Sequence, residues 1–242
     1  MSNTLRLSLT LRLVTPLSSG AAGVGTVLAD KAVVRNGLGE FILPGSQLRG
    51  VARHACERVA RALGKPVCDS PRAERMCPQN PAIPSSVADQ WNGSVRRCCV
   101  CAVFGSPYFT SRIQFHDLLA ANPYRQSDGQ PYREAAEAQL GTETLRAMVS
   151  LNRRRHVAEG ERLFVVETTP NHSAMIFSNR DAVTGYVESE PQVLLLLAGV
   201  NTLFAVGGGR SRGLGWVEIV QAEAMVDAER IEAGDWERLR EL

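Results

Sequence analysis

Residues 40–50 read Glu40-Phe41-Ile42-Leu43-Pro44-Gly45-Ser46-Gln47-Leu48-Arg49-Gly50, and the fold turns on how this stretch changes period. Gly37-Leu38-Gly39 supplies a turn, and residues 40–43 form a short extended piece that Pro44 and Gly45 break. Ser46 has the side chain of a helix N-cap, whose hydroxyl accepts a bond from a first-turn N–H. Leu48, Val51, Ala52, Ala55, Val59 and Leu63 then recur at helical spacing, and Gly64 closes the helix. Arg49 and Arg53 stand four apart near its positive end, an arrangement suited to phosphate. An ordinary amphipathic helix with solvated arginines accounts for the stretch equally well.

Upstream, residues 5–15 alternate leucine with polar residues, which predicts a half-buried strand with Arg6, Ser8, Thr10 and Arg12 on its polar face. Residues 16–25 read as a small-residue loop and 26–36 as extended. Downstream, 112–117 read as a strand, 120–132 as a polar loop and 133–148 as a helix. Residues 149–167 suggest a hairpin tipped by Ala158-Glu159-Gly160-Glu161, with Arg153 to His156 on its first arm. Charge on both arms favours a projecting hairpin over a core one. Residues 189–204 read as an apolar helix, 216–220 as a strand, and the tail from 224 as a short or frayed helix. The pattern is that of an α+β fold, an antiparallel sheet with helices on one face, and its order fits a ferredoxin-like core with insertions. Such a sheet leaves one face free for RNA.

The formal charge is only +2, so bulk charge does not argue for nucleic acid. Lys31 and Lys65 are the only lysines, and the arginines cluster at 49–61, 153–155 and 210–212, while acid gathers in the tail. A near-neutral total can therefore hide a basic face. No signal peptide opens the chain, and the apolar run Val193–Val200 is too short to span a bilayer. A cytoplasmic location and no membrane partner are expected.

Of six cysteines, five fall in residues 65–112, a proline-rich stretch with little periodicity that reads as an insertion outside the core. Cys68 and Cys77 with Cys98 and Cys101 offer four thiolates suited to tetrahedral, closed, structural zinc. The CxxC spacing favours Cys98 over Cys99 as the ligand. Cys56 reads as a buried helix residue.

Gly207-Gly208-Gly209-Arg210-Ser211-Arg212-Gly213-Leu214-Gly215 lacks the Gly-Lys-Ser/Thr ending of a phosphate loop, and a strand rather than a helix follows it. Two readings stay open: a flat backbone where an RNA approaches beside Arg210 and Arg212, or a tight turn between elements. None of the histidines (54, 116, 156, 172) has a partner evident in the sequence. Asp30 is the one acid in the glycine-rich to extended transition ahead of the basic helix, and an isolated loop Asp is commonly a turn-former.

Residues 44–50 with Arg53, Ser211-Arg212-Gly213-Leu214-Gly215, and Cys98 to Ser106 occur in the order of the RAMP superfamily. The chain resembles its type III CRISPR effector backbone subunits over most of 5–220. The stretches 111–117 and 151–164 add to the likeness, and the cysteines resemble the zinc-bearing type III-D-like variants. That resemblance implies one RAMP domain across 1–242. Its core spans 5–64 and 189–220, with a zinc insertion at 65–112, a thumb hairpin at 146–167 and a tail at 224–242. It implies stacking of copies, with other effector subunits, along a guide RNA paired to target RNA. Ser46, Arg49, Arg53, Gly208, Gly209, Arg210 and Arg212 would hold the guide, and Arg153 and Arg154 neighbouring or displaced nucleotides. Asp30 occupies the place of the acid needed for target cleavage, with Mg or Mn assisting attack of a ribose 2′-OH. A non-catalytic guide-binding subunit with a partner nuclease is the alternative. A stand-alone processing endonuclease, which needs a poised histidine, ranks last. Two departures stand out: Cys99 replaces the proline usual after the first CxxC cysteine, and Arg155-His156 replace small residues on the thumb.

Overall fold

A computed structural model describes residues 3–20, 29–89, 93–121, 143–170, 175–231 and 238–239. Strand β1 (Asn3–Leu13) keeps the alternation seen in the sequence. Leu5, Leu7, Leu9, Leu11 and Leu13 are buried, and Arg6 and Arg12 lie on the other face. β2 (Ile42–Leu43) leads into helix α1 (Gly45–Ala62). Gly45 is obligatory there, because a Cβ would sit 2.4 Å from the Phe115 carbonyl oxygen. The Cys-bearing stretch contributes β3 (Ser85–Asp89), β4 (Gly93–Arg96) and the short helix α2 (Cys99–Phe104). Then come β5 (Ile113–Phe115), β6 (Leu118–Ala121), β7 (Thr144–Asn152), β8 (Val157–Thr168), β9 (Ile176–Val187), helix α3 (Glu190–Asn201), β10 (Val217–Val226) and β11 (Glu229–Ile231).

The main sheet runs β11-β10-β1-β9-β6-β2, with β5 also on β9, and every pairing is antiparallel. The fold is therefore mixed α/β, built on antiparallel strands. α1 and α3 pack on one face of the sheet, and Cys56 joins them by donating its thiol hydrogen to the Leu195 carbonyl. Val193–Val200 of α3 is buried on all sides, which explains why its sequence is apolar without being amphipathic. Among the described residues no helix is long and apolar enough to cross a membrane.

Several expectations give way. Residues 65–112 are not outside the core, since Met76, Ile83, Val100, Val103 and Phe104 join the main buried cluster. Ser46 does not cap α1; the N-cap position is Pro44, and the Gly45 N–H instead donates to Asp117 Oδ1 at 2.7 Å. The expected helix at 133–148 falls mostly outside the described residues, and Thr144–Met148 are strand. The hairpin turns at 153–156, so Arg153 and Arg154 stand at its tip rather than on an arm, and Ala158–Gly160 lie in β8. Residues 224–231 are strand and turn rather than helix. Most consequentially, the central strand β9 has no counterpart in the sequence reading. Its register against β1 shifts between Leu7 and Leu9, and this irregularity breaks the two-residue period that marks a strand.

Candidate nucleic-acid interface and metal centre

The segments singled out at α1 and at the glycine run meet in one groove of about 450 Å³. Its wall is formed by Ser46, Gln47, Gly50 and His54 of α1, Gly207–Arg210 and Arg212 of the glycine run, Met148, Phe164 and Val166 of the hairpin, and Lys31. Lys31, Arg210 and Arg212 bring positive charge, and among the described residues no carboxylate lines this groove. Arg210 and Lys31 have no side-chain ion pair among the described residues. Arg212 points along the hairpin base, 3.3 Å from Met148 Sδ and 5.9 Å from the Phe164 ring centroid. An apolar ring beside unpaired guanidinium groups suits bases and phosphates together.

The glycines themselves make a tight turn and not a flat platform. Gly207, Gly209, Gly213 and Gly215 all have positive φ. A Cβ on Gly207 would meet Leu17 and Ser18, and one on Gly215 would lie 1.9 Å from the Val206 carbonyl. The chain's own backbone is what comes close. Gly208, anchored through its N–H to the Ser18 carbonyl at 2.8 Å, has ordinary room for a Cβ and is exposed to the groove.

Arg49 and Arg53 border a second groove of about 590 Å³, which shares Gly50 and His54 with the first. Both guanidinium groups are engaged with the fold: Arg49 donates to the Phe104 carbonyl at 2.6 Å and Arg53 to the Gly105 carbonyl at 2.8 Å. At the hairpin tip Arg153, Arg154 and Arg155 are exposed, and Asn152 Oδ1 accepts the N–H groups of Arg154 and Arg155 to shape the turn.

Asp30 sits next to groove-lining Lys31, at the base of the hairpin. Its N–H donates to the Val165 carbonyl at 2.9 Å, and its Oδ2 accepts the Val165 N–H at 2.7 Å. The residue is exposed, with an anchoring contact already in place. Two histidines have partners: His116 Nε2 lies 2.8 Å from Thr184 Oγ1, and His54 Nδ1, on α1, lies 3.2 Å from Oε2 of the buried Glu57. For His54 the spacing of three residues on a helix was the available signal.

Cys68, Cys77, Cys98 and Cys101 converge, all buried, with every sulfur within 4.8 Å of the others. Cys68 and Cys101 sulfurs are 3.3 Å apart and Cys98 and Cys68 3.7 Å, near the edge of about 3.8 Å that zinc–sulfur bonds of about 2.3 Å give a tetrahedron. These four residues fit a metal such as zinc. Cys99 lies outside the cluster, and burial pushes its thiol up to about 11. Cys98 lies within the cluster, its sulfur accepting the Cys101 N–H at 3.4 Å, so Cys98 and not Cys99 is the sulfur grouped with the other three.

The structure thus combines an antiparallel mixed sheet, a basic groove and a four-thiol cluster. The chain matches the family model of the RAMP superfamily over residues 10–218 and belongs to that superfamily. Its members are CRISPR-associated RNA-binding proteins, whose partners are CRISPR RNA and the other components of effector complexes. No curated protein matches the chain.

Proposed function

We propose that the chain is a guide-RNA-binding backbone subunit of a type III CRISPR effector that also cuts the paired target RNA at Asp30. The observation that carries the RNA reading is the groove walled by Lys31, Arg210, Arg212 and Phe164, with no carboxylate among its described residues. Phosphates there would meet cations with no internal competitor, while Ser46, Gly208 and Gly209 offer small polar or bare backbone surface. Arg153 and Arg154 at the hairpin tip suit the nucleotides of a neighbouring segment. The order β10-β1-β9-β6, with α1 between β1 and β5 and α3 between β9 and β10, supports a ferredoxin-like core. The cysteine cluster supports a structural zinc within residues 65–112.

Cleavage would form the bond from a ribose 2′-oxygen to the adjacent phosphorus and break the bond to the 5′-oxygen, leaving a 2′,3′-cyclic phosphate and a 5′-hydroxyl. On this reading Asp30 would take the 2′ proton at its carboxylate, water would return a proton to the departing 5′-oxygen, and Lys31, next in sequence, would meet charge on the phosphoryl oxygens. A hard cation, Mg or Mn, would supply Lewis-acid stabilisation there. Asp30 would be the residue to hold that ion in the alternative in which it does not itself take the proton.

One observation favours the second reading, a non-catalytic subunit. The Asp30 carboxylate already accepts the Val165 N–H, so its role would be to anchor the hairpin. Asp30→Asn keeps an acceptor for that N–H and removes the charge. Loss of target cutting with guide binding intact supports catalysis, and wild-type cutting by Asp30→Asn refutes it. Anisotropy titration of a labelled single-stranded RNA tests the groove: Arg210→Glu should weaken binding and flatten its salt dependence, and an unchanged affinity would remove the RNA reading.

A further inference from the structure

α1 meets the cysteine segment through a row of arginines. Arg49 and Arg53, one turn apart, reach the Phe104 and Gly105 carbonyls at the end of α2, and Arg61 reaches the Cys68 carbonyl at 3.1 Å. Only one of the three also touches sulfur: Arg53 Nη2 lies 3.3 Å from Cys101 Sγ. Its Nε donates to Glu57 Oε1 at 3.1 Å. Every nitrogen of this guanidinium is therefore committed, and its orientation is fixed from three sides. Glu57, which holds it, is 2% exposed and also accepts the Ser70 hydroxyl, from the cysteine segment itself.

Charge explains why a cation belongs at that sulfur. Four thiolates around a divalent ion leave two net negative charges, and this cluster is buried. Backbone donors meet part of that charge: the Cys98 N–H points at Cys77 Sγ at 3.3 Å and the Cys101 N–H at Cys98 Sγ at 3.4 Å. Arg53 adds a cationic side chain hydrogen-bonded to a cluster sulfur. A charge-assisted donor of this kind lowers the basicity of the thiolate it touches and fixes its direction.

We infer that Arg53 is the counter-ion and positioning residue of a four-cysteine metal centre, with Glu57 orienting it, and that it is not a contact to RNA. The metal centre is thereby tied to the helix whose other side walls the basic groove. The inference rests on the metal reading of the cysteines and is independent of the RNA reading.

The full-length protein, stripped of metal and titrated with zinc against a chromophoric chelator, provides the test. Arg53→Met should weaken zinc binding about 10- to 100-fold. Arg53→Lys, which keeps the charge but not the fork of donors, should fall between it and wild type. Arg49→Met loses a docking contact of the same kind without touching sulfur, and should bind zinc as wild type does. With cobalt in place of zinc, the thiolate charge-transfer band should move to longer wavelength in Arg53→Met and stay put in Arg49→Met. Wild-type affinity and an unmoved band in the Arg53 variants would overturn the inference, as would an equal loss in Arg49→Met, which marks simple docking. Should Arg53→Met not fold, Arg53→Lys decides by the same two readouts. A folded wild-type chain that takes up no zinc or cobalt sinks the metal reading itself, a result distinct from either of these.

Discussion

Two arginine-bearing surfaces of this protein differ in what stands beside each guanidinium. On the open face of the sheet Arg6 pairs with Asp181 at 3.3 Å, Arg12 with Glu218, and Arg230 with Glu223 at 2.7 Å. In the groove between α1, the glycine run and the hairpin, Lys31 and Arg210 have no such partner among the described residues, and no carboxylate joins the wall. The same residue type thus neutralises itself on one side and leaves a field on the other. For a chain of net charge +2, what directs a polyanion is this local asymmetry and not the sum. An open sheet face is a familiar seat for RNA, yet here Arg6, Arg12 and Arg230 on that face already meet carboxylates.

The largest effect should come from the residue at the junction of groove and hairpin. Asp30→Asn is expected to slow target cleavage by about 10²- to 10⁴-fold, the usual worth of a positioned proton acceptor, while leaving guide binding within about twofold. Single-turnover cleavage of labelled target and a parallel binding titration separate the two effects. Equal losses in both would make Asp30 an anchor of β8 through Val165, and the groove a binding surface alone.

Next in size is the groove field. Lys31→Ala, Arg210→Ala and Arg212→Ala combined should cost about 100-fold in affinity for single-stranded RNA at physiological salt. The slope of log K against log salt should fall by about 2, at about 0.7 per lost phosphate contact. A loss of affinity with an unchanged slope would mean that the substitutions damaged the loop rather than the field.

How much of this was legible in the sequence follows from the range of the interactions. β1 was readable because Leu5 to Leu13 alternate without interruption, and α3 because its apolar run is continuous. The cysteine cluster was readable from spacing, because a CxxC turn is local chemistry, but Cys99 in the place of the usual proline left the choice between Cys98 and Cys99 open until the structure gathered Cys98 with the other three. Long-range partners were not. Asp117 caps a helix that begins 72 residues earlier, and Arg53, placed like a phosphate ligand, is claimed by a sulfur 48 residues away. The glycine run was recognised as unusual, but the sequence could not say whether the close neighbour was a ligand or, as at Gly215, the chain's own carbonyl.

The hairpin tip should give an intermediate result. Arg153, Arg154 and Arg155 are exposed and carry no ion pair among the described residues. Their tip lies beyond the hairpin-base residues Met148, Phe164 and Val166 that line the groove. Their joint replacement by alanine should weaken binding of a short RNA only about threefold, and of a long RNA by more, because only a longer strand reaches both places. Equal losses for both lengths would place the tip inside the groove's own footprint.

The smallest effect belongs to the sheet face, and it tests the comparison most directly. Arg6→Ala with Arg12→Ala removes two arginines from the open face, but each leaves behind an exposed carboxylate in water, so the cost in stability should stay within about 1 kcal/mol. RNA affinity should stay within about twofold of wild type, since a guanidinium already facing Asp181 or Glu218 contributes little net field at the distance of a Debye length. Removing Glu218 and Asp181 instead, as Glu218→Gln with Asp181→Asn, exposes those two cations without changing their number. If the pairing is what silences this face, the second variant should bind non-specific RNA more tightly than wild type, with a steeper salt dependence. If the acid-free variant gains nothing, the shape of the groove rather than its uncompensated charge decides where RNA sits.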